Sequence, residues 1–146
     1  MIKKRKVYAY IVQDGDIVLF EHPDYPQAGI QVPGGTVEHN ETIEDAVLRE
    51  ACEETGLDGL KLAHYLGRQD RDMRDYDKDE YHHRHFFYLT CTAQIPKRWQ
   101  NRERYSSEPV AGPGQLFEFY RCPLKTVPDL IADFDIFISE LKRILS

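Results

Sequence analysis

Cysteine is scarce in this chain of 146 residues: Cys52, Cys91 and Cys122 are far apart, odd in number and include no CxxC pair. That excludes a disulfide framework and a zinc-ribbon spacing, and reduced thiols in a cytoplasmic protein are the expectation. Long apolar runs are missing too. Val7–Val12 ends in Gln13-Asp14-Gly15-Asp16, far short of the roughly 18 residues a membrane span needs. The basic Lys3-Lys4-Arg5-Lys6 before it reads as a solvated tail leading into a strand, not as a signal peptide. With no repeat, low-complexity tract or Ser/Gly linker, residues 1–146 are expected to form one domain. Positive charge is also short, with 19 basic against 25 acidic side chains and a net charge of −6. Non-specific nucleic-acid binding needs surplus Lys and Arg and is not expected. A phosphate-rich ligand would need a local basic patch or bound cations.

What is present suffices for a core: 41% of residues are hydrophobic and 12% aromatic. Val7–Val12 and Ile17–Phe20 read as strands joined at Asp14-Gly15, a hairpin signal. Ile30–Val32 reads as a short strand closed by Pro33-Gly34-Gly35. Leu60–Leu66, His85–Gln94 and Leu116–Arg121 read as further strands, and Asp129–Leu145 as a helix. In that helix Leu130, Phe134, Phe137, Leu141 and Leu145 make an apolar stripe, read as core-facing in preference to a cofactor box. Strands on both sides of a central helix imply a mixed α/β domain.

The central helix carries the chemistry. Thr42-Ile-Glu-Asp45 is a capping-box pattern, and Gly56-Leu57 is a left-handed stop with its following apolar residue. At about 100° per residue, Ile43, Ala46 and Val47 share a face that continues as Glu50, Glu53 and Glu54. Three carboxylates at this spacing repel one another near the negative end of the helix dipole. Between Thr36 and Gly59 lie eight acids and the single base Arg49. A solvated acidic face explains them poorly, because they prolong an apolar stripe. A hard divalent cation with oxygen ligands explains them better.

These residues resemble the Nudix box, G-x5-E-x7-R-E-U-x-E-E-x-G-U with U a bulky aliphatic. Gly35, Glu41, Arg49-Glu50, Glu53-Glu54, Gly56 and Leu57 match it, and Ala51 is small for its place. Gln31-Val-Pro-Gly-Gly35 also resembles the usual approach to the box. The resemblance implies an α/β/α sandwich around a mixed central sheet. It further implies hydrolysis of a diphosphate linkage in a nucleoside diphosphate joined to another group X, dependent on Mg²⁺, with Mn²⁺ able to substitute. It makes Arg49, Glu50 and Glu53 the catalytic set, with the Gly35 carbonyl, Glu50, Glu53 and Glu54 as metal ligands. Glu41 would support the loop–helix geometry. The general base would be Glu50 or a loop carboxylate, for which Glu80, Glu108 and Glu118 are candidates.

Specificity is expected outside the box. Arg68–Arg84 is long for a hairpin connection and is read as a functional or disordered loop. Its His82-His-Arg-His85 end reads as a strand edge or phosphate contact ahead of a transition-metal site. Lys97–Tyr105 reads as a loop offering cations for phosphate, with Trp99 either stacking on a base or packing on the domain. Arg84, Lys97, Arg98 and Trp99 are the substrate-contact candidates. Extra motifs typical of NADH or coenzyme A hydrolases, and the proline of some ADP-ribose hydrolases, are missing; Tyr76 lies near, but not at, a position associated with dinucleoside polyphosphate hydrolases. The substrate class therefore stays open, as does a homodimer. The alternative, a catalytically silent nucleotide sensor, fits an intact box and a chain without a helix-turn-helix less well.

Overall fold

The computed structural model describes residues 1–103 and 114–146. Along them run β1 (Ile2–Gln13), β2 (Asp16–Glu21), β3 (Gly34–Thr36), α1 (Ile43–Thr55), β4 (Leu60–Asp72), β5 (Glu80–Cys91), β6 (Arg98–Arg102), β7 (Leu116–Pro123) and α2 (Ile138–Leu145). The sheet order is β4-β5-β1-β2-β7-β6, with β3 paired to β1. β1 and β5 are parallel from Ile2↔Glu80 to Ile11↔Leu89, and the other ladders are antiparallel. The sheet is therefore mixed, as expected.

Alternation along β1 splits the core in two. Val7, Ala9 and Ile11, with Phe87 and Leu89 of β5, pack on Ala46, Val47 and Ala51 of α1. On the opposite face Tyr8, Tyr10 and Val12, with Phe86, meet Leu130, Phe134, Ile138 and Leu141. Each buried Val, Leu, Ile or Phe among them contributes about 1.5–3 kcal/mol. Helices on both faces make the α/β/α architecture, and the central strand is buried on both sides. None of the helices among the described residues is long and apolar enough to cross a membrane.

Several boundaries differ from the sequence reading. Ile30–Val32 makes only an isolated bridge, Gln31 to Phe20, and the strand falls on Gly34–Thr36. The reason is steric: a Cβ on Gly34 would overlap the Tyr8 ring and the Val7 carbonyl, so glycine lets this backbone approach β1. The basic residues at the start belong to β1 itself. The Arg68–Arg84 loop is mostly strand, because β4 reaches Asp72 and β5 starts at Glu80. Lys97–Tyr105 holds an edge strand, β6, paired with β7; Arg104 and Tyr105 lie outside the described residues, as does Glu108. Only Ile138–Leu145 of the C-terminal segment is α-helical. Before it, Ala132 (φ 50°) and Asp133 (φ 60°) are left-handed. The Tyr10 hydroxyl bonds the Phe134 carbonyl (2.5 Å) and the Phe137 amide (3.2 Å), and Asp135 takes the Leu130 amide. Side chains thus take over main-chain groups that a continuous helix would use. The stripe still faces the core, with Leu130, Phe134 and Leu141 buried and Phe137 packed against Phe86.

Candidate active site

The helix that presents the acids is fixed at both ends. Thr42 Oγ1 accepts from the Asp45 amide at 3.1 Å, the cap foreseen from the sequence. Gly56 is left-handed and its amide returns to the Cys52 carbonyl at 2.8 Å. The last carbonyls of a helix lack internal partners. Here Asn101 Nδ2 donates to the carbonyls of Glu53 (3.3 Å) and Glu54 (2.7 Å), and Trp99 Nε1 to that of Thr55 (2.9 Å).

Ala46, Val47, Ala51 and Thr55 turn inward, which brings Glu50 and Glu54 onto the wall of a cleft of about 520 Å³. Gly35 lies beside them on β3, and a Cβ there would overlap the Glu50 carboxylate. Glu54 Oε1 accepts from the Gly34 amide at 3.4 Å. Burial raises the pKa of Glu50; the Glu53 charge adds to this while Arg49 opposes it. Burial, with the charges of Glu50 and Glu103, holds Glu54 well above the usual carboxylate range.

Arg49 ties the loop to the helix. Its Nε and Nη2 grip the Glu41 carboxylate at 2.7 and 2.9 Å, and Nη2 also reaches the Thr36 carbonyl at 3.1 Å. Nη1 lies 2.9 Å from Glu50 and 3.3 Å from Glu53. The Arg49 hydrogen bonds pull the Glu41 pKa down to about 2, although burial opposes them. Glu53 is thereby turned to Arg49, and it does not line the cleft as Glu50 and Glu54 do.

Among the described residues no group of three or more Asp, Glu, His or Cys side chains is arranged to hold a metal ion. Arg49 already serves as counter-ion to Glu50 and Glu53. The donor set on the cleft wall nevertheless suits a hard divalent cation. Two enclosed carboxylates crowd together beside the Gly35 backbone, and such a cation relieves their repulsion while needing few protein ligands.

The family pattern described as NUDIX domain matches residues 3–125. The chain belongs to the NUDIX family. A curated relative, the ADP-ribose pyrophosphatase of Methanocaldococcus jannaschii, is 38% identical in an 87-residue alignment covering 51% of this chain and 51% of that protein. The chain thus spans about half the length of that relative. Among solved structures, a MutT NUDIX hydrolase from Burkholderia pseudomallei has a TM-score of 0.63 at 24% identity, over 97% of this chain and 99% of its own. A UDP-X diphosphatase has a TM-score of 0.67 at 16% identity, over 100% of this chain and 66% of its own. Both likenesses show the Nudix fold.

Within this Nudix fold the box residues Gly35, Arg49, Glu50, Glu53 and Glu54 come together, but the four substrate-contact candidates do not. Arg84 is wholly enclosed behind Tyr8 and Phe134. Trp99 stacks on Phe119 at 5.1 Å, so its indole is engaged by the domain. Lys97 and Arg98 are exposed and off the cleft wall, Arg98 lying 3.5 Å from Glu118. Of the loop carboxylates, Glu80 pairs with Lys4 and His82, and Glu118 with Arg98. Among the described residues, the acid outside the box that faces the cleft is Glu103, together with the bases Lys6, Lys78 and His82. His82 belongs to the cluster read from the sequence as a strand edge or phosphate contact; no spacing singled out Lys6, Lys78 or Glu103, which reach the cleft from separate parts of the chain only in the folded structure.

Proposed function

We propose that this Nudix protein hydrolyses the diphosphate linkage of a nucleoside diphosphate joined to a group X, using Mg²⁺, with Mn²⁺ able to substitute. The supporting observation is the pair of enclosed, crowded carboxylates, Glu50 and Glu54, on the wall of a cleft that Lys6 and Lys78 also line. Glu50, Glu54 and the Gly35 carbonyl would hold the cation, with Glu53 beside them and restrained by Arg49. When bound, the cation neutralises phosphate oxygens and lowers the pKa of its water. Glu50 accepts the proton of the water that attacks phosphorus as the bridging P–O bond breaks. Lys6, held to Thr36 Oγ1 at 2.9 Å, is placed to meet phosphate oxygens. Glu103 is the additional carboxylate able to take a proton across the cleft.

The relative named an ADP-ribose pyrophosphatase makes ADP-ribose the first substrate to try. We also place the protein, as a single domain, in a reducing cytoplasm, a reading supported by three free thiols, of which Cys52 is exposed. The test is incubation with Mg²⁺ and a panel of ADP-ribose, nucleotide sugars, nucleoside triphosphates, dinucleoside polyphosphates and capped RNA. Turnover of one class that EDTA abolishes supports the reading. Tight nucleotide binding with no turnover of any class would replace it with a sensor.

A further inference from the structure

The cleft wall on β5 carries polar groups that the proposed hydrolysis leaves unused. His82 and Arg84 project from the same face of β5, beside Lys4 and Lys6 in the parallel ladder. His82 is 3% exposed, and its Nε2 lies 2.8 Å from Glu80 Oε1; Glu80 in turn pairs with Lys4 at 3.2 Å. Burial would raise the Glu80 pKa, but the hydrogen bonds from His82 and Lys4 outweigh it and keep this carboxylate ionised. An ionised carboxylate only accepts, so the imidazole proton sits on Nε2. Burial, with the charges of Lys6 and Arg84, lowers the His82 pKa against the pull of Glu80. The ring is therefore neutral and its Nδ1 is a lone-pair acceptor. That Nδ1 is buried and has no hydrogen-bond partner among the described residues.

Arg84 presents the complementary case. Its Nη1 donates to the Ala132 carbonyl (2.6 Å) and to Gln69 Oε1 (3.0 Å), while Nε and Nη2 have no partner among the described residues. Its charge lies over the rings of Phe134 (4.4 Å), Tyr8 (4.8 Å) and Phe86 (5.6 Å), a favourable setting for a guanidinium. What it still wants is acceptors for N–H groups. The turn it holds is strained, since Ala132 and Asp133 are left-handed without being glycine. Tyr76 Oη takes the Ala132 amide at 3.1 Å and Arg71 grips Asp133 at 3.0 Å. Strain held this firmly is typical of ligand-binding walls. Tyr8, Tyr76, His82, Ala132 and Phe134 all line the cleft.

The wall thus combines aromatic faces, a buried neutral acceptor and nearby buried donors. An anion brings no hydrogen for the Nδ1 lone pair, and an apolar group would leave it unsatisfied. A sugar meets each demand: its C–H faces pack on rings, and its hydroxyls both donate and accept. We propose that this wall is the subsite for a sugar in group X, with His82 Nδ1 accepting a hydroxyl hydrogen and Arg84 positioning the Ala132 turn that closes the subsite. The proposal rests on the diphosphate reading above, but it is tested by binding.

Calorimetry in EDTA, with ADP-ribose and ADP as probes, reads it without turnover. Wild-type protein should bind ADP-ribose at least tenfold more tightly than ADP. His82→Phe, which keeps a ring and loses the acceptor, should bring that ratio close to one, and His82→Gln should retain part of it. Nitrogen NMR of wild-type protein gives an independent measurement: ADP-ribose should shift the His82 Nδ1 resonance and ADP should not. Equal wild-type affinities, or an unmoved resonance, would overturn the subsite. Failure of the hydrolase reading would appear separately, as absence of Mg²⁺-dependent turnover.

Discussion

The side-chain amide of Asn101 donates to the main-chain carbonyl of Glu54 at 2.7 Å, so an edge strand caps the helix that presents the acids. Asn101→Ala removes that bond and the one to Glu53, and should cost about 1–2 kcal/mol of stability. Because the same backbone carries the Glu54 side chain, turnover should fall by more than the lost stability explains. Urea denaturation and steady-state kinetics on one preparation separate the two effects. Unchanged kcat at full folding would deny the cap any part in placing the acid.

Glu54→Gln should act in opposite directions on activity and on stability. The carboxylate is enclosed and crowded by Glu50 and Glu103, so a neutral amide relieves repulsion in the metal-free fold. Its melting temperature without metal should hold or rise, while Mg²⁺-dependent turnover falls by about 10²-fold or more, the scale of losing one transition-state contact. Glu53→Gln should lose less, since Glu53 acts beside Arg49 and off the cleft wall. Equal losses would restore the equivalence that helix spacing alone assigns to these residues.

Gly35→Ala tests a contact that no composition argument reveals. The new methyl would overlap the Glu50 carboxylate, which must then leave its place. Turnover should drop about 10-fold to 100-fold, as for loss of a group that orients a metal ligand. Circular dichroism should stay unchanged. Retained activity would show that Glu50 has room to move without consequence.

Much of this was legible in the sequence, for definite reasons. The box spacing, the Thr42 cap and the Gly56 stop are local, so they survive into the structure. The core stripe of Leu130, Phe134 and Leu141 also held, although the helix through it did not, because Tyr10, distant in sequence, takes its main-chain groups. The basic segment around Trp99 was open to a phosphate-binding reading. Only the pairing of β6 with β7 shows that Trp99 and Asn101 point to α1. Burial of Arg84 was equally hidden, since one strand's alternation does not tell which face a second helix covers.

Lys97 and Arg98 provide the control for that revised reading. Both are exposed and off the cleft wall. The double change Lys97→Ser, Arg98→Ser should leave kcat/KM within about threefold, because exposed charges contribute little at physiological salt. A tenfold rise in KM, reversed by lowering ionic strength, would return these residues to the substrate path.

The pH dependence of metal-free stability should be a dome whose two limbs have different owners. Glu41 has its pKa pulled from 4.5 to about 2 by the Arg49 hydrogen bonds, against burial. A group depressed in the fold contributes stability above its unfolded pKa and loses it as pH falls through the folded one, so this limb lies between about 4.5 and 2. Asp70, lowered to about 2 by Arg68 and His83, adds to the same limb. Glu50 and Glu54 have the opposite sign. Raised by burial, they contribute fully below their unfolded pKa, and that contribution is lost as pH rises through their folded values. Glu41→Gln should therefore flatten the acid limb and cost about 1.5–3 kcal/mol at neutral pH, since it breaks a charged hydrogen bond to the half-buried Arg49. Glu54→Gln should flatten the other limb and leave the acid side intact. Chemical denaturation from pH 2 to pH 8 in EDTA checks both. If Glu41→Gln flattened the high-pH limb instead, the Arg49–Glu41 pair would not be the element that ties loop to helix.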